Sequence, residues 1–122
     1  MTNILIVDDS ATMRKIIQRT LRQTGLDVTS CHEAADGAKG LEVLNAESID
    51  LVFSDVNMPE MDGLEFVRAV RADRPTDPKI VMVTTEVGSN SVSEALKSGA
   101  DGYVKKPFTP DDLEKAVNEL GI

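Results

Sequence analysis

A chain of 122 residues is the size of one domain and long enough to bury a core without disulfide or metal staples. Thirteen basic residues against twenty-one acidic ones leave a net charge of −8 and no long basic block, which excludes general binding to nucleic-acid phosphates. The single cysteine, Cys31, cannot form an internal disulfide, and the start carries neither a basic leader nor a membrane-length apolar run, so a soluble cytoplasmic protein is expected.

Residues 4–7 are wholly apolar, too few for a helix core, and end on Asp8 and Asp9; they predict a buried first strand. The spacing over residues 10–24 predicts a helix with Met13, Ile16, Ile17, Thr20 and Leu21 inward and Arg14, Lys15, Arg19 and Arg22 in solvent, stopped by Gly25. A weaker, more alternating run over 26–31 predicts an outer strand. Cys31 then ends that strand as a small buried hydrophobe, and His32 follows it as a surface or edge residue. Residues 33–46 place Ala34, Ala38, Leu41 and Leu44 at helical spacing, against the helix-weakening Gly37 and Gly40.

The third strand is expected over 49–54, with Asp50 at its entrance and Asp55 at its exit. The loop over 55–62 is longer than a tight strand-to-helix turn requires. Asp62 is an N-cap for a helix over 63–72 carrying Leu64, Phe66, Val67 and Val70, which R-P-T-D-P then breaks. Residues 80–83 predict a fourth strand ending on Thr84 and Thr85. A polar helix over about 88–97 turns Val92, Ala95 and Leu96 inward and closes at Gly99. A short fifth strand holds Tyr103 and Val104 and leads into K-K-P-F. Thr109 then caps a last helix with Pro110 at its first position. Apolar strands alternating with crossover helices predict one domain over 1–122, built on a mostly parallel sheet covered on both faces.

In such a sheet the carboxyl ends of the strands share one edge, where ligands bind. Asp8, Asp9, Asp55, Thr84 and Lys106 therefore have a common address. Three carboxylates in one small site repel unless a cation shares them, and an oxygen-only donor set suits Mg²⁺ or Mn²⁺ rather than zinc. A lysine and a hydroxyl beside such an ion suit phosphoryl oxygens, and a central aspartate can serve as the nucleophile that forms an acyl phosphate. The alternative is a set of solvated strand-end residues. Tyr103 reads equally as core packing and as a ring that exchanges between inward and outward positions.

V-D-D at 7–9, S-D-V-N-M-P-E-M-D-G at 54–63, V-T-T-E at 83–86 and G-Y-V-K-K-P-F at 102–108 together resemble the receiver domain of bacterial response regulators, over essentially the whole chain and most of all the stand-alone chemotaxis kind. The resemblance implies a flavodoxin-like (βα)5 three-layer sandwich with a five-stranded parallel sheet in the order 2-1-3-4-5. It implies that Asp55 accepts a phosphoryl group from a histidine kinase, and that Asp8 and Asp9 hold Mg²⁺, or Mn²⁺ in its place, with Asp55 and the backbone carbonyl of Asn57. Thr84 and Lys106 would bind phosphoryl oxygens, a cis peptide would precede Pro107, and Asn57 and Glu86 would flank the site. Tyr103 would be the switch aromatic coupled to Thr84.

The implied output is a changed face of the fourth helix, fifth strand and fifth helix, presented by a monomer to the flagellar motor switch or another protein effector, without contact to nucleic acid or membrane. Self-phosphorylation and autodephosphorylation are the only reactions expected, with no turnover of an external substrate. G-S-N-S at 88–91 departs from chemotaxis members that often carry lysines there. The alternatives are a phosphorelay intermediate, a receiver fragment of a larger regulator, or a small Mg²⁺-dependent phosphohydrolase using Asp55. The last would need a second acid where Asn57 stands. A flavin-type cofactor binder is disfavoured by the lack of a phosphate loop after the first strand and of any tryptophan.

Overall fold

Uninterrupted apolar runs are stable as strands where both faces of a sheet are covered, and this chain uses them so. The computed structural model describes residues 2–58, 60–85 and 90–121. Along it run β1 (Thr2–Val7), α1 (Ala11–Arg22), β2 (Val28–Ala34), α2 (Gly37–Ala46), β3 (Leu51–Asp55), α3 (Gly63–Asp73), β4 (Lys79–Thr84), α4 (Asn90–Lys97), β5 (Gly102–Lys105) and α5 (Pro110–Asn118). The strands pair in parallel in the order β2-β1-β3-β4-β5, the (βα)5 arrangement expected.

Alternate residues of each strand feed two cores. Leu5, Val7, Val52, Ile80 and Met82 face Phe66, Val67 and Val70 of α3 and Leu44 of α2. Ile4, Ile6, Leu51, Phe53, Val81 and Val83 face Ile17 and Leu21 of α1 and Leu113 and Val117 of α5. Phe53 and Phe66, both fully buried, anchor the two layers, each side chain contributing about 1.5–3 kcal/mol by removal from water. The helix starts follow their caps. Asp62 accepts from Glu65 N while the Glu65 side chain accepts from the Asp62 backbone N–H, and Thr109 and Asp112 repeat that reciprocal pair with Pro110 between them at the first helical position. Gly99, at φ +121°, ends α4 in a conformation that side-chain-bearing residues rarely adopt.

Five expectations are corrected. β2 does not stop at Cys31: pairing with β1 continues to Val7 opposite Ala34, which takes Glu33 and Ala34 out of the helical pattern. α2 accordingly begins at Gly37, where Asp36 accepts from Lys39 N, and Ala38 faces solvent. His32 lies within this edge strand, opposite Leu5, and not after it. Ile16 and Leu96 are 40% and 37% exposed: only Ile17 and Leu21 of α1 and Val92 and Ala95 of α4 point fully into the core. Arg14, expected in solvent, is largely covered. Cys31 is half-buried against the α1/α5 layer, and burial pushes its thiol up to about 11, so it behaves as the small hydrophobe expected. The proposed start of α4 at Gly88 lies outside the described residues.

Candidate functional site

Parallel pairing brings the exits of β1, β3 and β4 side by side. Val7 is opposite Ser54, Asp55 is opposite Val83, and Thr84 is opposite Lys105. The next backbone hydrogen bond, Lys106 N to Thr84 O at 2.7 Å, carries Lys106 onto the same edge. One carboxylate oxygen from each of Asp8, Asp9 and Asp55 lies within 4.8 Å of the others. The five residues that shared an address in the sequence thus share one rim.

Asp8 is 2% exposed, and its polar atoms are taken up around it. Its N–H donates to Ala34 O at 3.0 Å, its Oδ1 accepts from Ser10 N at 2.9 Å, and its Oδ2 meets Lys106 Nζ at 3.3 Å. Asp9 is exposed and completes the acidic group from the solvent side. Asp55 stands between them and β4. Its Oδ1 accepts from Val56 N at 2.8 Å and lies 3.4 Å from Lys106 Nζ, while buried Ser54 donates to its carbonyl. Burial pushes the Asp55 carboxyl above its ordinary value; Lys106 opposes that shift and the Asp8 charge adds to it.

The end of α3 nearest the rim is pressed against this strand exit. A methyl group on Gly63 would collide with the carbonyl oxygen of Asp55 and come within 2.8 Å of Val56 Cα, so glycine is required there by close approach. Gly63 N donates to Val56 O at 2.8 Å, which closes the loop after Asp55 back onto itself.

Thr84 is buried at 3% exposed, and the Lys106–Pro107 peptide is cis, as is Asp77–Pro78. Asn57 is exposed beside Asp55, and Glu86 lies outside the described residues. Tyr103 is not core: it is 45% exposed. With Leu96, Pro107, Lys115 and Ala116 it lines an open groove of about 680 Å³ between α4, β5 and α5.

Arg14 belongs to the site but was missed in the sequence. The helical pattern put it on the polar face of α1, yet its guanidinium reaches back to the Asp8 carbonyl at 2.7 Å and to Glu33 on β2 at 3.0 Å. The available signal is an arginine in the first turn after the acidic pair, but its partner Glu33 lies on β2, in the part of that strand which the residue pattern assigns to a helix.

The donor set fits a hard divalent cation. Three carboxylates less one ammonium leave two formal negative charges on the rim, and among the described residues no histidine or cysteine joins the cluster. No helix is long and apolar enough to cross a membrane among the described residues.

Known proteins resemble the chain over nearly its whole length. The response regulator receiver domain model matches residues 4–118. A chemotaxis protein CheY homolog of Campylobacter jejuni is 44% identical over 119 residues, covering 96% of this chain and 90% of that protein. The chemotaxis protein CheY of Pseudomonas aeruginosa is 42% identical, covering 96% and 94%. Among solved structures, Vibrio cholerae chemotaxis protein CheY4 superposes with a TM-score of 0.83 at 38% identity, covering 98% of both chains. The response regulator domain of Thermotoga maritima CheB superposes with a TM-score of 0.85 at 27% identity, covering 100% and 98%.

Proposed function

The chain belongs to the response regulator receiver domain family, as a CheY-like phosphoacceptor domain of two-component signalling, and on that premise we propose how its rim works. Asp55 is the phosphoacceptor. One carboxylate oxygen attacks the phosphorus of a phosphohistidine on a histidine kinase; the P–N bond breaks, the imidazole leaves with its electron pair and takes up a proton, and Asp55 becomes an acyl phosphate. Asp8, Asp9, Asp55 and the backbone carbonyl of Asn57 hold Mg²⁺, which when bound neutralises charge on the phosphoryl oxygens. Lys106, already within reach of both Asp8 and Asp55, exchanges those contacts for a phosphoryl oxygen, and the Thr84 hydroxyl takes another.

The observation that carries this reading is the surplus of carboxylate at a rim whose central member is held in a partly desolvated position beside a single lysine. Phosphorylation draws Thr84 toward the new oxygens, and exposed Tyr103 turns inward, altering the α4–β5–α5 groove that a protein effector reads. Residues 1–122 act as one receiver unit, monomeric and cytoplasmic. The relatives' names favour a chemotaxis output over a phosphorelay step. The protein catalyses its own phosphorylation and dephosphorylation and turns over no external substrate.

Incubation with acetyl phosphate and Mg²⁺ followed by intact mass tests the reading. A gain of about 80 Da, one phosphoryl group, is expected, and it should disappear in Asp55→Asn and on chelation of Mg²⁺. An unchanged mass, or a gain that survives in Asp55→Asn, would overturn it.

A further inference from the structure

Asp8 and Asp9 sit on the turn between β1 and α1, and a cation site needs that turn held still. Its strand side is tied by Asp8 N to Ala34 O, and its helix side by Ser10 N to Asp8 Oδ1. The peptide joining Asp8 to Asp9 has a further restraint: Arg14 Nη1 donates to the Asp8 carbonyl at 2.7 Å. That guanidinium is itself oriented. Its Nε meets Glu33 Oε1 at 3.0 Å, while Lys15 Nζ holds the other Glu33 oxygen at 2.9 Å, and the Arg14 side chain is only 17% exposed. A planar fork bridging a carbonyl on one strand exit and a carboxylate on the next is a task a lysine cannot duplicate.

We infer that Arg14, oriented by Glu33, is a positioning residue for the Asp8–Asp9 pair: it fixes the plane of their shared peptide and so sets the affinity of the acidic rim for a divalent cation. The inference rests on the reading of that rim as a cation site. Arg14 touches neither the cation nor the phosphoryl group and acts through the backbone that carries two of the ligands. Outer-shell partners of metal ligands commonly govern affinity in this way.

The sign of the effect separates positioning from simple charge. Arg14 is a cation near a cation site, so on charge alone its removal would tighten Mg²⁺ binding; positioning requires that removal weaken it. Calorimetric titration with Mg²⁺ of the wild-type protein, Arg14→Met, Arg14→Lys and Lys15→Met reads this directly. Lys15→Met removes the same charge from the same Glu33 without touching Asp8.

Arg14→Met and Arg14→Lys are expected to weaken Mg²⁺ about tenfold. Lys15→Met should bind Mg²⁺ as tightly as wild type or tighter. In metal-free protein, amide exchange over residues 8–12 should quicken in both Arg14 variants and not in Lys15→Met. Arg14→Lys keeps the charge and the stem, so it carries the test should Arg14→Met fold poorly. Wild-type binding retained in the Arg14 variants, or tightened in Arg14→Met, would overturn the inference while leaving the cation site standing. No Mg²⁺ binding by the wild-type protein would overturn both.

Discussion

Both ends of the sheet carry aspartates, and the two ends treat them in opposite ways. At the N-terminal edge Asp101 meets Arg71 at 2.9 Å and accepts from Ile80 N at 2.8 Å, while Asp50 accepts from Asn3 N at 2.8 Å. Arg71 also donates to the carbonyls of Gly99, Arg74 and Pro78, so one side chain closes the ends of α3 and α4 and the entries to β4 and β5. At the C-terminal rim the carboxylates of Asp8, Asp9 and Asp55 cluster, and a single lysine, Lys106, is shared between those of Asp8 and Asp55. A strand-end aspartate is structural where the chain supplies its cation and its N–H donors. It is chemical where the chain leaves a charge surplus.

The comparison breaks most visibly at Arg71. With a side chain 8% exposed and three carbonyls losing their donor, Arg71→Ala is expected to cost about 2–4 kcal/mol in denaturant unfolding, a large share of a small domain's stability. Mg²⁺ affinity per folded molecule should stay the same. A variant that unfolds at the wild-type midpoint, or that loses Mg²⁺ while folded, would erase the division between the two ends.

Gly63→Ala strikes the rim through its backbone. The added methyl has no room against the Asp55 carbonyl, so a loss of about 1–3 kcal/mol is expected from overpacking, together with slower phosphoryl uptake from acetyl phosphate. Wild-type stability and uptake would show that the loop after Asp55 yields more freely than its packing implies.

Glu33→Gln is a smaller, pH-dependent change. Burial raises the Glu33 carboxyl, but hydrogen bonds from Lys15, Arg14 and Gln18 outweigh it and hold the group below its ordinary value. Its stabilising contribution is therefore present above the ordinary carboxylate range and lost as pH falls through the lowered folded value. The variant should be about 1 kcal/mol less stable at neutral pH and converge on wild type in acid. Melting curves across pH that stay parallel would contradict this.

The sequence revealed the sheet, the order of its elements and the rim more readily than it revealed their supports. Strand exits are marked by an abrupt change from apolar run to acid or hydroxyl, so Asp8, Asp55 and Thr84 could be located from pattern alone. β2 could not be bounded that way. It is an edge strand of mixed residues, and only its pairing with β1 decides that Glu33 and Ala34 are strand and not helix. Arg14 was hidden for the same reason, since helical spacing separates a polar face from an apolar one but does not distinguish solvent from a carbonyl across the turn. Tyr103 illustrates the limit of composition: an aromatic in a short strand ordinarily packs inward, and here it lines a surface groove. Nor does sequence separate Asp101 from Asp55, because the difference is Arg71, thirty residues away on another element.

The central claim is that the rim holds a charge surplus which a divalent cation completes. Thermal melting of wild type and Asp55→Asn at neutral pH, each with chelator and with millimolar Mg²⁺, tests it most directly. Because the Asp55 carboxyl is held above its ordinary value, ionising it costs stability in the metal-free protein, and that cost fades only as pH falls through the raised folded value. Asp55→Asn should therefore melt higher than wild type in chelator. Mg²⁺ should raise the wild-type melting temperature and leave the variant nearly unchanged. A wild-type protein indifferent to Mg²⁺, with Asp55→Asn less stable than wild type in chelator, would mean that the rim is already satisfied by its own residues.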